Sequence, residues 1–533
     1  MASYSPNDRA LGFEYSAQMA DPRALADEGL CFPIGGDDRR STSATGRAIF
    51  ADSIRAVDPA IAARIEHTRD WRKGYIKPLR DIVLAAAQSS ENAVSISRHG
   101  LASAEQRFTF RRDGQETPVR EAMSTWDQPG LGSVIVRGRA AREEELSIPY
   151  KGRRLFGDDL RRQIDQWLDT GIAEPSFGEA LTLVLDNPDW LDLRDVDIAL
   201  LGAGAEMAPT RSLLRWGARV HAIDLPAPAI WDRLVGITRS TPGTLRIPIE
   251  LAPDGTPPFV VGGDVHPDDD PTICAAAGTN LITRAPEIRT WLAEIDQPFV
   301  LGTYAYADGA DHVRLSMAAD AIVSALSTSR DDITLAFLAT PTDVFAVPLE
   351  CVEDSRRKWE HRGIGGLFQA PLRLARQFEP NYSSTYTTST GQRIGLNDAI
   401  IPQQGPNYIL AKRVQRWRAL AARAEGTPVS LNLAPATRTR SVVRNRALAA
   451  AYAGAGRFGV EVFDPSTSTT LMAALLVHDL RNPASSANPS TQLMNPMDLF
   501  ARGANHGGLW RTAYAPRSVL GIAALLGMFE SRA

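Results

Sequence analysis

From residue 197 onward, short and almost wholly apolar runs alternate with longer amphipathic stretches. That is the pattern of parallel strands covered on both faces and joined by helices. The apolar runs predict strands at 197–201, 217–224, 278–283, 298–304, 333–340 and 428–433, with 459–463 as a last strand. Helical spacing predicts helices at 210–216, 285–292, 313–326, 366–378, 466–480 and 518–529, and one of about 15 residues opening at Tyr408. Before residue 190 the pattern is mixed. Helices are predicted at 59–67, where Asp58 is an N-cap, and at 79–88, 158–168 and 177–185; strands are predicted at 106–112 and 132–138. The first 45 residues, rich in Asp, Ser and Gly, read as an irregular arm. These elements predict an α/β protein, a doubly wound parallel sheet over 191–533 behind an N-terminal α+β domain over 1–190.

Two places in this pattern carry chemistry. The first is the turn after the strand at 197, Leu201-Gly202-Ala203-Gly204-Ala205-Glu206-Met207, which leads into a helix and then a second strand ending at Asp224. Glycine at 202 and 204 permits a tight turn and close approach of a phosphate to the amides that follow. A carboxylate about 20 residues on, at the end of the next strand, is placed to bind ribose hydroxyls and to disfavour a 2′-phosphate.

The second is Tyr408 and Lys412, four residues apart on one face of a helix. Lysine is scarce: five residues (Lys73, Lys77, Lys151, Lys358, Lys412) among 58 Lys and Arg. With 11 tyrosines in 533 residues, chance supplies only about 0.1 Tyr-x-x-x-Lys pairs. An ammonium beside a phenol favours the phenolate, so the pair suits proton exchange with an alcohol or a carbonyl.

The order Tyr-x-x-x-Lys helix, Gly426 turn, strand 428–433, then Asn432, Pro435, Thr437 and Thr439, preceded about 200 residues upstream by the Gly turn, resembles the short-chain dehydrogenase/reductase family. The resemblance implies a Rossmann-type fold and an NAD(P)-dependent oxidoreductase acting on a hydroxyl or carbonyl group. It implies Tyr408 as the acid/base, Lys412 as the residue that lowers its pKa and holds the nicotinamide ribose, and Thr340 or Thr342 in place of the family serine, with Ser383, Ser384 and Ser389 as further hydroxyls open to that role. Gly202, Gly204, Glu206 and Met207 would line the pyrophosphate, Asp224 the ribose, Asn280 the adenine and Thr437 the carboxamide. The cofactor implied is NAD, with NADP also compatible. The family's later two glycines fall here at Glu206 and Ala208, and its helix asparagine has only Arg314 and Ser316 as polar counterparts in 313–326.

Thr342 precedes Tyr408 by far more than the family spacing, so 343–405 reads as an insertion. Its Trp359, Phe368, Tyr382 and Tyr386 predict a flap over the active site and a bulky substrate, a small molecule or an acyl compound. Residues 441–533 read as a substrate lobe; the arginines at 438, 440, 444 and 446 suit a solvated face or the phosphates of a carrier arm. His506 reads as a structural loop histidine.

Composition narrows the rest. A chain 44% hydrophobic and 23% charged is an ordinary globular protein, and a net charge of −4 argues against general nucleic-acid binding. Three scattered cysteines predict neither a metal cluster nor disulfides, and Asp264, Asp268, Asp269 and Asp270 with His266 read as a solvated loop. No apolar run reaches the length of a membrane span and no signal peptide is visible, so a cytoplasmic protein is expected, with a homo-oligomer compatible. Two other functions fit parts of the chain. One is a catalytically degenerate nucleotide-sensing or scaffold protein; the other is an S-adenosylmethionine methyltransferase, which shares the Gly-x-Gly and acidic pattern but has no use for Tyr408 and Lys412.

Overall fold

The computed structural model describes residues 28–36, 38–127, 130–258, 265–362, 373 and 376–530. Its centre is a seven-stranded sheet: β1 (Leu131–Arg137), β2 (Asp197–Leu201), β3 (Arg219–Ile223), β4 (Thr244–Glu250), β5 (Phe299–Thr303), β6 (Ile333–Ala339) and β7 (Val429–Leu433). Across the sheet they run β7-β6-β5-β2-β3-β4-β1, all parallel except β1, which pairs antiparallel with β4. Counted in chain order, the six parallel strands follow 3-2-1-4-5-6. This is the Rossmann order, whose switch point lies between β2 and β5.

The strand sequences explain their places. β2, β5 and β7 are buried at every residue, as strands covered on both faces must be. The period of two then sorts their side chains into two cores: Ala199, Leu201, Leu301, Leu335 and Phe337 join one, Ile198, Leu200, Val300 and Ala336 the other. From Ser133 on β1 alternates, burying Val134 and Val136 between exposed Ser133, Ile135 and Arg137, as an antiparallel edge strand with one solvated face does. Helices from before residue 190 contribute to both cores: Thr42–Arg55 and Ser90–Arg107 to the first, Gly157–Asp169 and Pro175–Asp186 to the second.

Three expectations are corrected. The third parallel strand is β4, not 278–283, which is a turn following it. Pro248 disguised β4, because proline lacks a ladder donor; the pairing with β3 stops at Arg246, so Pro248 lies beyond it. Residues 460–462 form no strand, and this segment makes only a single parallel bridge, Thr437 to Phe463. Residues 106–107 still belong to the Ser90–Arg107 helix, and the strand starts at Thr109. The predicted helix 366–378 lies mostly outside the described residues, as does Asp264; 376–378 are not helical. Among the described residues no helix is long and apolar enough to cross a membrane, and no His/Cys/Asp/Glu group could hold a metal.

The insertion builds a three-stranded antiparallel sheet from Val344–Pro348, Arg393–Asp398 and Tyr386–Thr387, with the Leu349–Glu360 helix packed on it. It is fastened through Glu174, whose carboxylate, 4% exposed, accepts from Arg511 (2.7 and 2.8 Å), His506 Nε2 (2.9 Å) and Cys351 Sγ (3.3 Å). His506 is indeed structural: its Nδ1 accepts the Gly508 amide at 3.0 Å and its ring stacks on Trp510. Burial alone would raise the Glu174 pKa, but Arg511 and His506 outweigh it and hold the carboxyl at about 2. A pKa depressed by folding stabilises above the ordinary carboxylate range, and that stability is lost as pH falls toward 2. Glu174→Gln should therefore lower unfolding stability by about 3 kcal/mol at neutral pH and flatten the acid limb below about pH 4. Denaturant titrations of both proteins at several pH values measure this.

Candidate active site

The helix bearing Tyr408 runs Gly405–Ala424. Pro406 sits in its first turn, where a missing amide hydrogen costs nothing, and Gly426 at φ +94° stops it. Its apolar stripe, Leu410, Val414, Trp417, Leu420 and Ala421, is buried. Trp417 lies over Gly100 of the Ser90–Arg107 helix, where a Cβ would stand 2.6 Å from the indole. The N-terminal region thus covers this helix directly.

On the sheet side the helix is held by a buried ion cluster. Arg413 and Arg416, one turn apart, bond opposite oxygens of Asp343 at 2.5 and 2.8 Å, and Arg416 also reaches the Val344 carbonyl at 3.0 Å. All three side chains are at most 4% exposed. Burial would raise the Asp343 pKa; the two guanidinium groups overcome it and keep the carboxyl below its ordinary range. Asp343 directly follows Thr340-Pro341-Thr342, the segment leaving β6, so this cluster brings those hydroxyls against Tyr408.

The result is a connected polar chain. Gln404 Nε2 donates to Thr342 Oγ1 at 2.7 Å, Thr342 and Thr340 share a hydrogen bond at 3.0 Å, and the Thr340 hydroxyl lies near enough to the Tyr408 phenol to favour its ionisation. Around Tyr408 stand His312 (ring centroids 5.3 Å apart) and Tyr306 (6.4 Å), with Tyr452 near enough that, beside burial, the Tyr408 phenol opposes its ionisation. The hydroxyls of Thr303 and Ser316 and His312 Nε2 are buried without a hydrogen-bond partner. His312 is pushed down to about 3 by burial and by the Lys412 ammonium, so it is neutral.

Tyr408, Lys412, Thr340 and Thr342 are therefore gathered at the carboxyl ends of β5 and β6. Ser383 and Ser384 instead line a cavity of about 540 Å³ beside Arg80, Asp398 and Arg517, which shares no residue with the Tyr408 cluster, and Ser389 bonds the Gln88 carbonyl. Arg314 serves the N-terminal region, donating to the carbonyls of Leu30 and Glu28. One expectation changes sign. Tyr408 is pushed up to about 12, because burial exceeds the help from Thr340. Lys412 does not relieve it: its ammonium donates to the Leu338 carbonyl and to Gln415 Oε1, both at 3.2 Å. Gln404, His312, Tyr306 and Tyr452 went unread in the sequence, being single residues in turns and helices with no spacing to mark them.

The Gly turn lies at the switch point. Gly202, at φ +90°, packs against Ala305, where a Cβ would come within 2.5 Å of the backbone. The amides of Gly202 and Ala203 donate to the Ile223 carbonyl, that of Ala205 to Gly202, and that of Gly204 to Asp224 Oδ2 at 2.7 Å. Asp224 Oδ1 accepts the Leu225 amide at 2.8 Å, and burial raises its pKa. Arg233 donates to the Gly204 carbonyl at 2.5 Å. Glu206 reaches across to the Arg440 amide at 2.8 Å, and Met207 packs on the second core. Asn280 caps its own turn through the Ile282 amide, and its neighbour Thr279 donates to the Asp224 carbonyl, so 278–280 stands beside the end of β3. The Thr437 hydroxyl donates to Pro435 or pairs with Ser468.

No family model matches the chain, and no curated protein matches it in sequence. Among solved structures the chain is similar to a thiolation-reductase di-domain from an archaeal non-ribosomal peptide synthetase, with 10% identity and a TM-score of 0.26 over 52% of this chain. The match covers 66% of that protein, so the chain spans just under two thirds of its length.

Burial lowers Lys412 from 10.5 to about 8, against the pull of Asp343. Between those values the unfolded chain binds the proton and the folded chain does not, so stability rises with pH. The wild type should gain about 3 kcal/mol over Lys412→Met between pH 8 and 10.5, read by denaturant unfolding. Parallel curves would show that Lys412 is solvated.

Proposed function

We propose that this chain is an NAD(P)-dependent oxidoreductase of the short-chain type, acting on a hydroxyl or carbonyl group of a bulky substrate. The observation that carries the proposal is the meeting of Tyr408 with Thr340, Lys412 one turn along, at the carboxyl edge of a sheet in Rossmann order. Ligands of such sheets bind at the switch point, and here that point is Gly202 against Ala305.

The donors at the switch point fit a dinucleotide in part. Each Asp224 oxygen keeps a lone pair for a ribose hydroxyl beyond the amide it accepts. Past the engaged amides of 202–205, the loop offers Glu206 and Met207, and Arg233 and Arg440 place positive charge there. Asp224 would hold the adenine ribose, which favours NAD, with Asn280 on the adenine side; Lys412 and Thr437 would face the nicotinamide half. When bound, the nicotinamide supplies or accepts the hydride. The protein's own part is the proton. Tyr408 gives its phenolic hydrogen to the substrate oxygen as a carbonyl becomes an alcohol, and takes it back in the reverse direction. A phenol near pKa 12 is a good acid for an alkoxide and stays protonated at neutral pH. Neutral His312, with Nε2 unpaired, is a donor or acceptor for that same oxygen.

The engagement of the amides of 202–205 within the protein favours a second reading, a nucleotide-sensing or scaffold protein without turnover. A methyltransferase would leave Tyr408 and Lys412 without a task. Binding of NADH, NADPH and S-adenosylmethionine, followed by fluorescence and thermal shift on wild type and Asp224→Ala, separates the three. NADH binding weakened about tenfold or more by Asp224→Ala is expected, a loss of about 1.4 kcal/mol. Absence of any nucleotide binding would favour the scaffold, and binding of S-adenosylmethionine alone the methyltransferase.

A further inference from the structure

We propose that the paired helices Arg446–Ala453 and Pro516–Glu530, with the short Arg440–Arg444 helix before them, form a docking face for an anionic lipid surface. The exposed side chains that build this face lie outside the Tyr408 cluster, so it is independent of the reaction proposed there.

Residues 518–529 of the last helix carry no charge. A helix apolar all round is ordinarily buried all round, yet this one is buried on one side only. Val519, Ala523 and Gly527, at successive turns, are buried. Two of them lie directly on the neighbouring helix: a Cβ at Gly527 would meet the Ala450 carbonyl, and one at Gly454 the Ala523 carbonyl. The other side presents Ile522, Leu525, Leu526 and Phe529, the i, i+3, i+4, i+7 spacing of a single stripe, with Met528 beside it. Leu525 is 54% exposed, Met528 46% and Phe529 69%. A contiguous apolar surface left in water marks a place where something binds.

The charge beside the stripe indicates what covers it. Gly454 meets Ala523 and Gly527 meets Ala450, so the two helices are antiparallel, and Arg446 with the Arg440–Arg444 helix comes level with Met528 and Phe529. Residues 438–460 hold five arginines and no acidic residue, in a chain whose net charge is −4. Arg438, Arg444 and Arg446 are exposed, and among the described residues none has an ion-pair partner; Val443 between them is 50% exposed. The stripe offers no hydroxyl or amide side chain, so its partner supplies apolar depth and negative charge without a pattern of hydrogen bonds. Acyl chains beneath anionic headgroups supply both. A second copy of the chain would repeat the same acid-free face and give these arginines no partner. Among the described residues no helix can cross a membrane, so the contact is made at the surface. The helices follow the carboxyl end of β7, and Glu206 of the Gly turn accepts the Arg440 amide at 2.8 Å, so the face adjoins the edge of the sheet that carries Tyr408.

Flotation of the full chain with vesicles of phosphatidylcholine alone, and of phosphatidylcholine with about 30% phosphatidylserine, tests this. The wild type should bind the anionic vesicles about tenfold or more tightly than the neutral ones, and binding should weaken as salt is raised. Arg444→Gln and Arg446→Gln should each weaken it about fivefold. Leu525→Ser combined with Phe529→Ser should weaken it about tenfold or more. All four side chains are exposed, so thermal unfolding of the variants should match that of wild type. Phe529→Ser alone keeps the test open if the double variant does not fold. No flotation with anionic vesicles, or flotation that the arginine and apolar variants leave unchanged, would overturn the proposal, as would a dimer in sedimentation that Leu525→Ser dissolves. NADH binding without vesicles should be equal in wild type and variants, so failure of the nucleotide reading and failure of this one are told apart.

Discussion

The arrangement of this molecule turns on the buried carboxylate of Asp343 between Arg413 and Arg416. Removing three charges from water is costly, and well-packed apolar side chains of equal volume would serve stability as well or better. What the ions supply is register. Arg413 and Arg416 project from one face of the Tyr408 helix, Asp343 follows the threonine pair leaving β6, and two charge-assisted bonds permit one rotation and one height of the helix against the strand end. Lys412 adds a third tie by donating to the carbonyl of Leu338, on the same strand. These ties hold the start of the helix, and with it Tyr408, beside Thr340 at the end of β6.

The same economy of position runs through the surrounding protein. The side chains of Phe50 and Trp417 and the bare backbone of Gly100 let the N-terminal helices lie close on the Tyr408 helix. β1, drawn from before residue 190, completes the far edge of the sheet by pairing with β4. Glu174, Cys351, His506 and Arg511 join three distant parts of the chain into one neutralised cluster beneath the inserted sheet. Residues before 190 thus pack against the helix that carries Tyr408 and Lys412.

Much of this was legible in the sequence, and the pattern of success is physical. Parallel strands buried on both faces read as apolar runs, so β2, β3, β5, β6 and β7 were placed. The Tyr408–Lys412 pair was visible because helical neighbours are local in sequence, and Thr340 because it ends a strand. β4 was hidden by Pro248 and by the charged Arg246 and Glu250 within it. The seating of β1 in the main sheet depends on an antiparallel partner over 100 residues away. The protonation chemistry was least legible. A lysine one turn from a tyrosine suggests a lowered pKa, yet the direction is set by where the ammonium points, and here it points to a backbone carbonyl while burial pushes Tyr408 up to about 12. Gln404 is a turn residue whose hydrogen bond exists only once Thr342 is folded against it.

In the proposed reaction Tyr408 exchanges a proton with a substrate oxygen while a nicotinamide exchanges a hydride with the adjoining carbon. The most direct test is transfer of deuterium from NADH labelled at the nicotinamide C4 into a panel of bulky aldehydes, ketones and acyl thioesters, with wild type and Tyr408→Phe compared by mass spectrometry. The account predicts deuterium on the carbinol carbon of at least one product with the wild type and at least a hundredfold less with Tyr408→Phe, on the order of what a positioned acid contributes. Nucleotide bound with no label transferred to any acceptor, or equal transfer by Tyr408→Phe, would contradict it.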